Sequence, residues 1–235
     1  MPETHDISYA EQIQALKEIS TAISSDRYIE DVLRLIVTVT AQAMNSQVCS
    51  LWLIEEDEKC LRVRATQTMN KDYLKERSLK LGEGVVGYVA QRDEPAVIID
   101  VLKEPRYKEK ELAKKMGLRS MLSVPMKVRD NVIGVINCYT SYKHNFSETE
   151  QDMLTTVANQ AAICIENTEL MVRSKVIQEE LESRKLIERA KGLLMKDFGL
   201  QEEEAFQMIR KKSMNSRRSM REIAEAVILA NELKS

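Results

Sequence analysis

Glycine and proline are confined to one part of this 235-residue chain. Five of the seven Gly and three of the four Pro fall between positions 82 and 134. Beyond Gly134 there is no Pro, and only Gly192 and Gly199 remain. Gly supplies left-handed backbone at turns and Pro breaks helices. A stretch rich in both is built of short elements, and one nearly free of both can run as long helices. The middle of the chain is therefore expected to hold strands and turns, and the remainder after Gly134 to be mostly helical.

Apolar spacing refines this division. Residues 8–24 place Ile13, Leu16, Ile19 and Ile23 at helical steps, and residues 28–44 do so with Val32, Leu35, Ile36, Val39 and Ala43. Five short runs rich in β-branched residues follow, at 48–54, 60–66, 95–100, 120–128 and 131–140. They predict five antiparallel strands. Short helices fit between Gly84 and Ala90 and after Pro105. A long helix is expected from Ser147, which forms a capping box with Glu150. Leu154, Val157, Ala161, Cys164, Thr168 and Met171 follow at alternating steps of three and four. That spacing predicts a parallel coiled-coil dimer through 147–186, with residues 13–23 alongside.

Composition narrows the class. Hydrophobic residues make up 43% of the chain, as in a soluble globular protein. No apolar run approaches the roughly eighteen residues of a membrane span. The start, MPETHDISYAEQ, has neither the basic head nor the apolar centre of a secretion signal, so a cytoplasmic location is expected. The cysteines are Cys49, Cys60, Cys138 and Cys164, with only His5 and His144 as further soft ligands. They form no zinc pattern and read as core thiols.

Charge is unevenly shared. Residues 171–235 hold 14 Lys and Arg against 11 Asp and Glu, whereas the whole chain has a net charge of −2. Within 204–221, EAFQMIRKKSMNSRRSMR, six bases stand with no acid between Glu204 and Glu222. Around them three helices are expected. The first ends at Gly199, a good residue for a left-handed helix end. The second runs from Gln201 to Ser213, with Arg210, Lys211 and Lys212 in its last turn. The third starts at Ser219 and carries an apolar stripe of Met220, Ile223, Ala224, Val227 and Ile228. Arg217 and Arg218 precede its N-terminus, a natural phosphate site. Gly192 lies inside the first helix and is expected to mark close approach of a neighbour. Phe198 and Phe206 are expected in the core, which leaves no aromatic platform for stacking single-stranded bases.

These motifs carry two resemblances. LGEGVVGYV (81–89), PAVIID, PRY (105–107), GLRSMLSVPM (117–126), VIGVIN (132–137) and FSETE (146–150) resemble a GAF domain, a small-molecule sensor fold with a central antiparallel sheet between helices. AKGLLM (190–195), Gly199, EEEAF, IRKKSM and REIAEAVI resemble the ANTAR family of RNA-binding antitermination modules. Together they imply an α+β chain: an N-terminal dimerisation helix (1–24), a GAF domain (25–170), a signalling helix (147–188) and an ANTAR module (175–235). The resemblance implies a homodimer that binds tandem RNA stem-loops through Arg189, Lys191, Arg210, Lys211, Ser213, Asn215, Arg217, Arg218 and Arg221. A GAF effector pocket would use Val97, Ile99, Val101, Tyr107, Met121 and Ser123. The cyclic-nucleotide signature of some GAF domains is absent, and neither a cofactor nor a metal is implied. Two alternatives stand beside this: a DNA-binding regulator, because SMREIAEAVI after a basic turn resembles a recognition helix, and an enzyme on the GAF-like fold, such as a methionine-sulfoxide reductase. The latter needs a reactive cysteine.

Overall fold

Strands β1 (Val48–Glu55) and β6 (Asn131–Thr140) are buried on both faces over most of their length, so neither shows the polar alternation of a half-solvated strand. They form the middle of a six-stranded antiparallel sheet of order β3-β2-β1-β6-β5-β4. β2 is Cys60–Thr66, β3 Ser78–Lys80, β4 Ala96–Ile98 and β5 Ser120–Val128. The helices are α1 (Tyr9–Ile23), α2 (Ile29–Ala43), α3 (Gly84–Arg92), α4 (Lys110–Met116), α5 (Glu148–Phe198), α6 (Glu202–Ser216) and α7 (Met220–Glu232). This computed structural model describes residues 9–23, 29–55, 57–70, 73 and 77–233. The chain divides into two compact units, Met1–Thr168 and Glu169–Ser235.

Because strand side chains alternate between faces, the sheet of the first unit has two cores. Cys49, Leu51, Leu122, Val124, Ile136 and Cys138 meet residues of α1, α2 and the start of α5. Val48, Trp52, Met121, Val135 and Tyr139 meet α3 and α4 on the other side. Gly134 lets β6 approach β1: a Cβ there would lie 2.2 Å from the Trp52 carbonyl oxygen. Pro125 is tolerated in β5 because the outer neighbour β4 pairs only as far as Ser123, leaving an open edge beyond it. The sixth strand, β3, is three residues long and carries no alternation that its sequence would reveal.

The capping box of α5 is formed as its sequence implies. Glu150 accepts from the Ser147 N–H at 2.7 Å, and Ser147 Oγ accepts from the Glu150 N–H at 3.3 Å. The expected dimer seam is placed otherwise. Leu154, Val157, Ala161 and Cys164 are buried in the first unit's own core, with Val32, Ile36 and Phe146. α1 likewise gives Ala15 and Ile19 to that core, and Ile13 is exposed. The Ile23 side chain lies outside the described residues. The reason is geometric: the 3,4 spacing of a coiled coil is also that of a helix lying on a sheet, and the sheet needed a cover.

From 169 to 182 every residue of α5 is exposed, including Leu170, Met171, Val172, Val176, Ile177 and Leu181. Ile163, Leu170 and Ile177 repeat every seven positions, and all are exposed. An apolar seam therefore exists, turned away from the one the spacing first suggests.

Ala161→Glu should place an unpaired carboxylate in the sheet-facing core, at a cost of about 3–5 kcal/mol. The expected outcome in urea denaturation is loss of the first unit's cooperative fold. A folded monomer would mean that Ala161 faces a partner chain instead.

Candidate nucleic-acid interface and ligand face

The second unit closes around Ala190, Leu194, Ala205, Ile209, Ile223, Ala224 and Ile228, one apolar stripe from each of α5, α6 and α7. α5 ends at Gly199, whose φ of 67° makes the left-handed turn that only glycine adopts cheaply. Glu204 accepts from the Gln201 N–H at 2.9 Å and starts α6. Helix α6 runs one turn further than its sequence suggests, to Ser216, so Arg210, Lys211 and Lys212 lie mid-helix rather than in the last turn. A favourable contact with the helix C-terminus therefore does not explain them.

The turn into α7 is clamped from both sides. The Ser213 carbonyl accepts from the N–H of Arg217 and, at 3.2 Å, from that of Arg218, and Ser213 Oγ donates to the Arg218 carbonyl at 2.6 Å. On the other side Glu222 accepts from Ser219 N–H at 2.7 Å, and Ser219 Oγ accepts from the Glu222 N–H at 3.2 Å. These bonds hold the Glu222 carboxyl below its ordinary range, the Ser219 N–H first among them. Arg217 sits between the clamps at φ 55°, a left-handed conformation that disfavours any residue with a Cβ. Arg210, Lys211, Lys212, Arg217 and Arg218 are exposed and form no ion pair with the described residues. Lys211 and Asn215, four residues apart on α6, share one side of that helix.

The remaining expected contacts are occupied within the chain. Lys191, 8% exposed, holds Glu188 at 2.9 Å and Glu202 at 2.7 Å, tying α5 to the start of α6. Its ammonium is pushed above the ordinary lysine range, by Glu188 first and Glu202 second. Arg189 pairs with Glu232 at 3.0 Å, and Arg221 with Glu225 at 3.0 Å. Ser213 serves the turn. Lys191 thus acts as a strut, whereas Arg217 and Arg218 at the α6–α7 turn have no ion pair among the described residues.

Two expectations for this unit fail. A Cβ at Gly192 would meet no atom within 4 Å. The residue lies about 200° around the helix from Ala190, so it points away from the bundle. Phe198 is 61% exposed, because the chain leaves the helix axis at Gly199 before a neighbour can cover it.

On the ligand face of the first unit, Val101, Tyr107, Met121 and Ser123 are buried in the core under α3 and α4 or on its sheet face. Val97 packs on the opposite core and Ile99 is half exposed. Ala96 and Ile98 take the inner positions, a parity that a three-residue strand does not announce. The sequence also missed Arg77, which grips Glu109 through two bonds of 2.6 and 2.8 Å and lies over Tyr73 at 4.1 Å. Beside it a cleft of about 800 Å³ is lined by Glu30, Asp31, Arg34, Arg62, Tyr73 and Arg77, among others. Its charges look like an ordinary solvated surface in sequence. All four cysteines are free and buried, and burial pushes the Cys49 thiol well above its ordinary range. No described helix is long and apolar enough to cross a membrane.

The family model "GAF domain" matches residues 29–165, and "ANTAR domain" matches residues 175–228. The chain is 30% identical over 155 residues to the "Phosphoenolpyruvate-dependent phosphotransferase system" protein of Escherichia coli (strain K12), covering 66% of this chain and 21% of that protein. It is 46% identical over 52 residues to "Transcriptional regulatory protein PdtaR" of Mycobacterium tuberculosis (strain CDC 1551 / Oshkosh), covering 22% of this chain and 25% of that one. The solved GAF domain of a phosphoenolpyruvate-protein phosphotransferase from Coxiella burnetii superposes with a TM-score of 0.63 at 24% identity, over 70% of this chain and 98% of that one. The matched regions span only about a fifth to a quarter of these curated relatives.

Replacing Arg217 by Gly should raise the unit's stability by about 0.5–1 kcal/mol, since the left-handed strain is relieved. The same change should weaken nucleic-acid binding. Thermal melting and a binding titration on one variant check both signs, and a lower melting temperature would refute the strain argument. Gly192→Ala should stabilise by about 1 kcal/mol through helix propensity alone, as no neighbour obstructs the methyl. Thermal melting that shows a loss would mean that a partner chain fills that space.

Proposed function

Because the chain belongs to the GAF domain family and joins its GAF domain to a C-terminal ANTAR domain, we propose that it is a ligand-responsive transcription antiterminator. It acts as a cytoplasmic homodimer that binds paired stem-loops in nascent RNA and so prevents terminator formation. The observation that carries this is the clamped α6–α7 turn, where Arg217 and Arg218 stand exposed and without an ion pair among the described residues, next to Arg210, Lys211 and Lys212 on the adjoining helix. A chain that only needed a turn would use Gly at 217. Retaining a strained arginine makes sense where its charge is required. The relative named as a transcriptional regulatory protein matches in the stretch of an ANTAR domain's size and supports this use. The function is regulatory, not enzymatic: Cys49, Cys138 and Cys164 lie in the core, where a reactive cysteine would need access, and burial and Glu58 push the Cys60 thiol up rather than toward a thiolate.

The dimer forms through the exposed stripe of α5. A helical stretch with no packing along 169–182 is marginal by itself. Pairing Ile163, Leu170 and Ile177 with a second copy, with Leu181 beside them, covers that stripe at heptad spacing. Two ANTAR domains then face two linked hairpins.

The test is a titration of single and tandem hairpins at two salt concentrations. The parent protein should bind the tandem RNA at least about tenfold more tightly than one hairpin. Arg217→Ala/Arg218→Ala should bind both more weakly, with a salt slope shallower by about 0.7–0.9 per lost phosphate contact. Leu170→Asp/Ile177→Asp should sediment as a monomer and lose the tandem advantage. Equal affinity of the parent for both RNAs would remove the bivalent mechanism. Tighter binding to duplex DNA of equal charge would favour a DNA-binding regulator.

A further inference from the structure

Register pairs across the centre of the sheet place Thr66 opposite Ser50, Ser50 opposite Asn137, Asn137 opposite Ser123, and Ser123 opposite Ala96. Residues directly opposite in antiparallel strands share a face. Ser50, Asn137 and Ser123 therefore form a polar row on the face under α3 and α4, amid Trp52, Met121, Val135 and Tyr139. All three are 0% exposed. Ser50 Oγ is satisfied, accepting from Trp52 Nε1 at 3.2 Å and from the Tyr73 hydroxyl at 2.9 Å. Asn137 Oδ1, Asn137 Nδ2 and Ser123 Oγ have no partner among the described residues.

Sealed polar atoms without partners oppose folding, and a native core keeps them only where something outside the chain completes them. We propose that the Ser50–Asn137–Ser123 row is the recognition edge of the GAF domain's effector site, and that the effector is a small uncharged molecule bearing an amide-type edge, a C=O beside an N–H. This rests on the GAF domain acting as the sensory input. The chemistry of the donors selects the class. An asparagine side chain presents one acceptor and one donor side by side, which an amide, lactam or ureide matches in both directions. A carboxylate or phosphate would leave the Asn137 carbonyl facing a negative charge. The charge of Arg77, which lies over Trp52, is already met by Glu109. Aromatic rings of Trp52, Tyr73 and Tyr139 flank the row and suit a flat ligand. Entry is past Tyr73 and Arg77: both line the open cleft, Tyr73 bonds Ser50, and Arg77 lies over Trp52 at 5.3 Å.

The same row is placed to report binding. Leu122 and Val124 flank Ser123, and Ile136 and Cys138 flank Asn137. All four point to the opposite face, into the core that includes Leu154, Val157 and Ala161 of α5. A shift of β5 or β6 on ligand binding is therefore felt by the signalling helix within one side-chain layer.

Thermal melting of the full chain tests the site with acetamide, 2-pyrrolidinone, uracil and nicotinamide as probes, and with cyclopentanone as the lactam's isostere lacking N–H. At least one amide at millimolar concentration should raise the melting temperature by about 2 °C or more, and cyclopentanone should not. Asn137→Leu should abolish the shift. Ser123→Ala, a smaller change should the leucine fail to fold by far-UV circular dichroism, should reduce it. No shift with any amide, an equal shift with cyclopentanone, or a parent-like shift in Ser123→Ala would overturn the proposal and leave the row to buried water. Hairpin binding measured without additives is scored separately. Intact RNA binding with no amide response rejects the ligand class alone, and an amide response without RNA binding rejects the assigned output alone.

Discussion

One helix supplies side chains to a hydrophobic core in each unit, and the rest of the molecule depends on that sharing. Early turns of α5 bury Leu154, Val157, Ala161 and Ile165 against the sheet. Its late turns bury Ala190 and Leu194 among α6 and α7. A helix of this kind is stable where it is packed and marginal where it is not. The stretch 169–182 is exposed among the described residues, yet holds six large apolar side chains. The helix thus passes from one unit to the other through a stretch that the described residues leave exposed.

Electrostatics in the ANTAR domain follow a division of labour. Lys191, Arg189 and Arg221 are each held by carboxylates, and through Glu202, Glu232 and Glu182 they link the three helices. Such pairs add little net stability at the surface, and what they supply is geometry. Arg217 and Arg218 at the clamped turn, with Arg210, Lys211 and Lys212 on α6, are left without an ion pair among the described residues. Arg217 illustrates the tension. Its backbone conformation favours glycine, and its charge favours arginine.

The GAF domain shows the same tension inside a core. Packing alone would fill the row opposite Ser50 with apolar residues. Asn137 and Ser123 instead leave three buried polar atoms unmatched. The buried hydroxyls of Ser120 and Thr140 in the same strands bond to backbone carbonyls, so the unmatched pair is the exception for which a recognition role is proposed.

Much of this was legible in the order of residues. The split between strands and helices followed from glycine and proline, because turns and breaks depend on local backbone freedom. The capping residues Ser147 and Ser219, the helix end at Gly199 and the apolar stripe of α7 followed from local hydrogen-bonding and periodicity. Tertiary structure alone decided which partner each periodic stripe would meet. Leu154 to Cys164 carry coiled-coil spacing, but they face a sheet that their spacing cannot reveal. Val97 and Ala96 are both apolar, and only strand pairing chose Ala96 for the inner face. Lys191 reads as a free base until folding brings Glu202 within 2.7 Å of it. Phe198 reads as core until the chain turns away at Gly199. Periodicity is a property of neighbours in the chain, whereas burial, pairing and parity belong to neighbours in space.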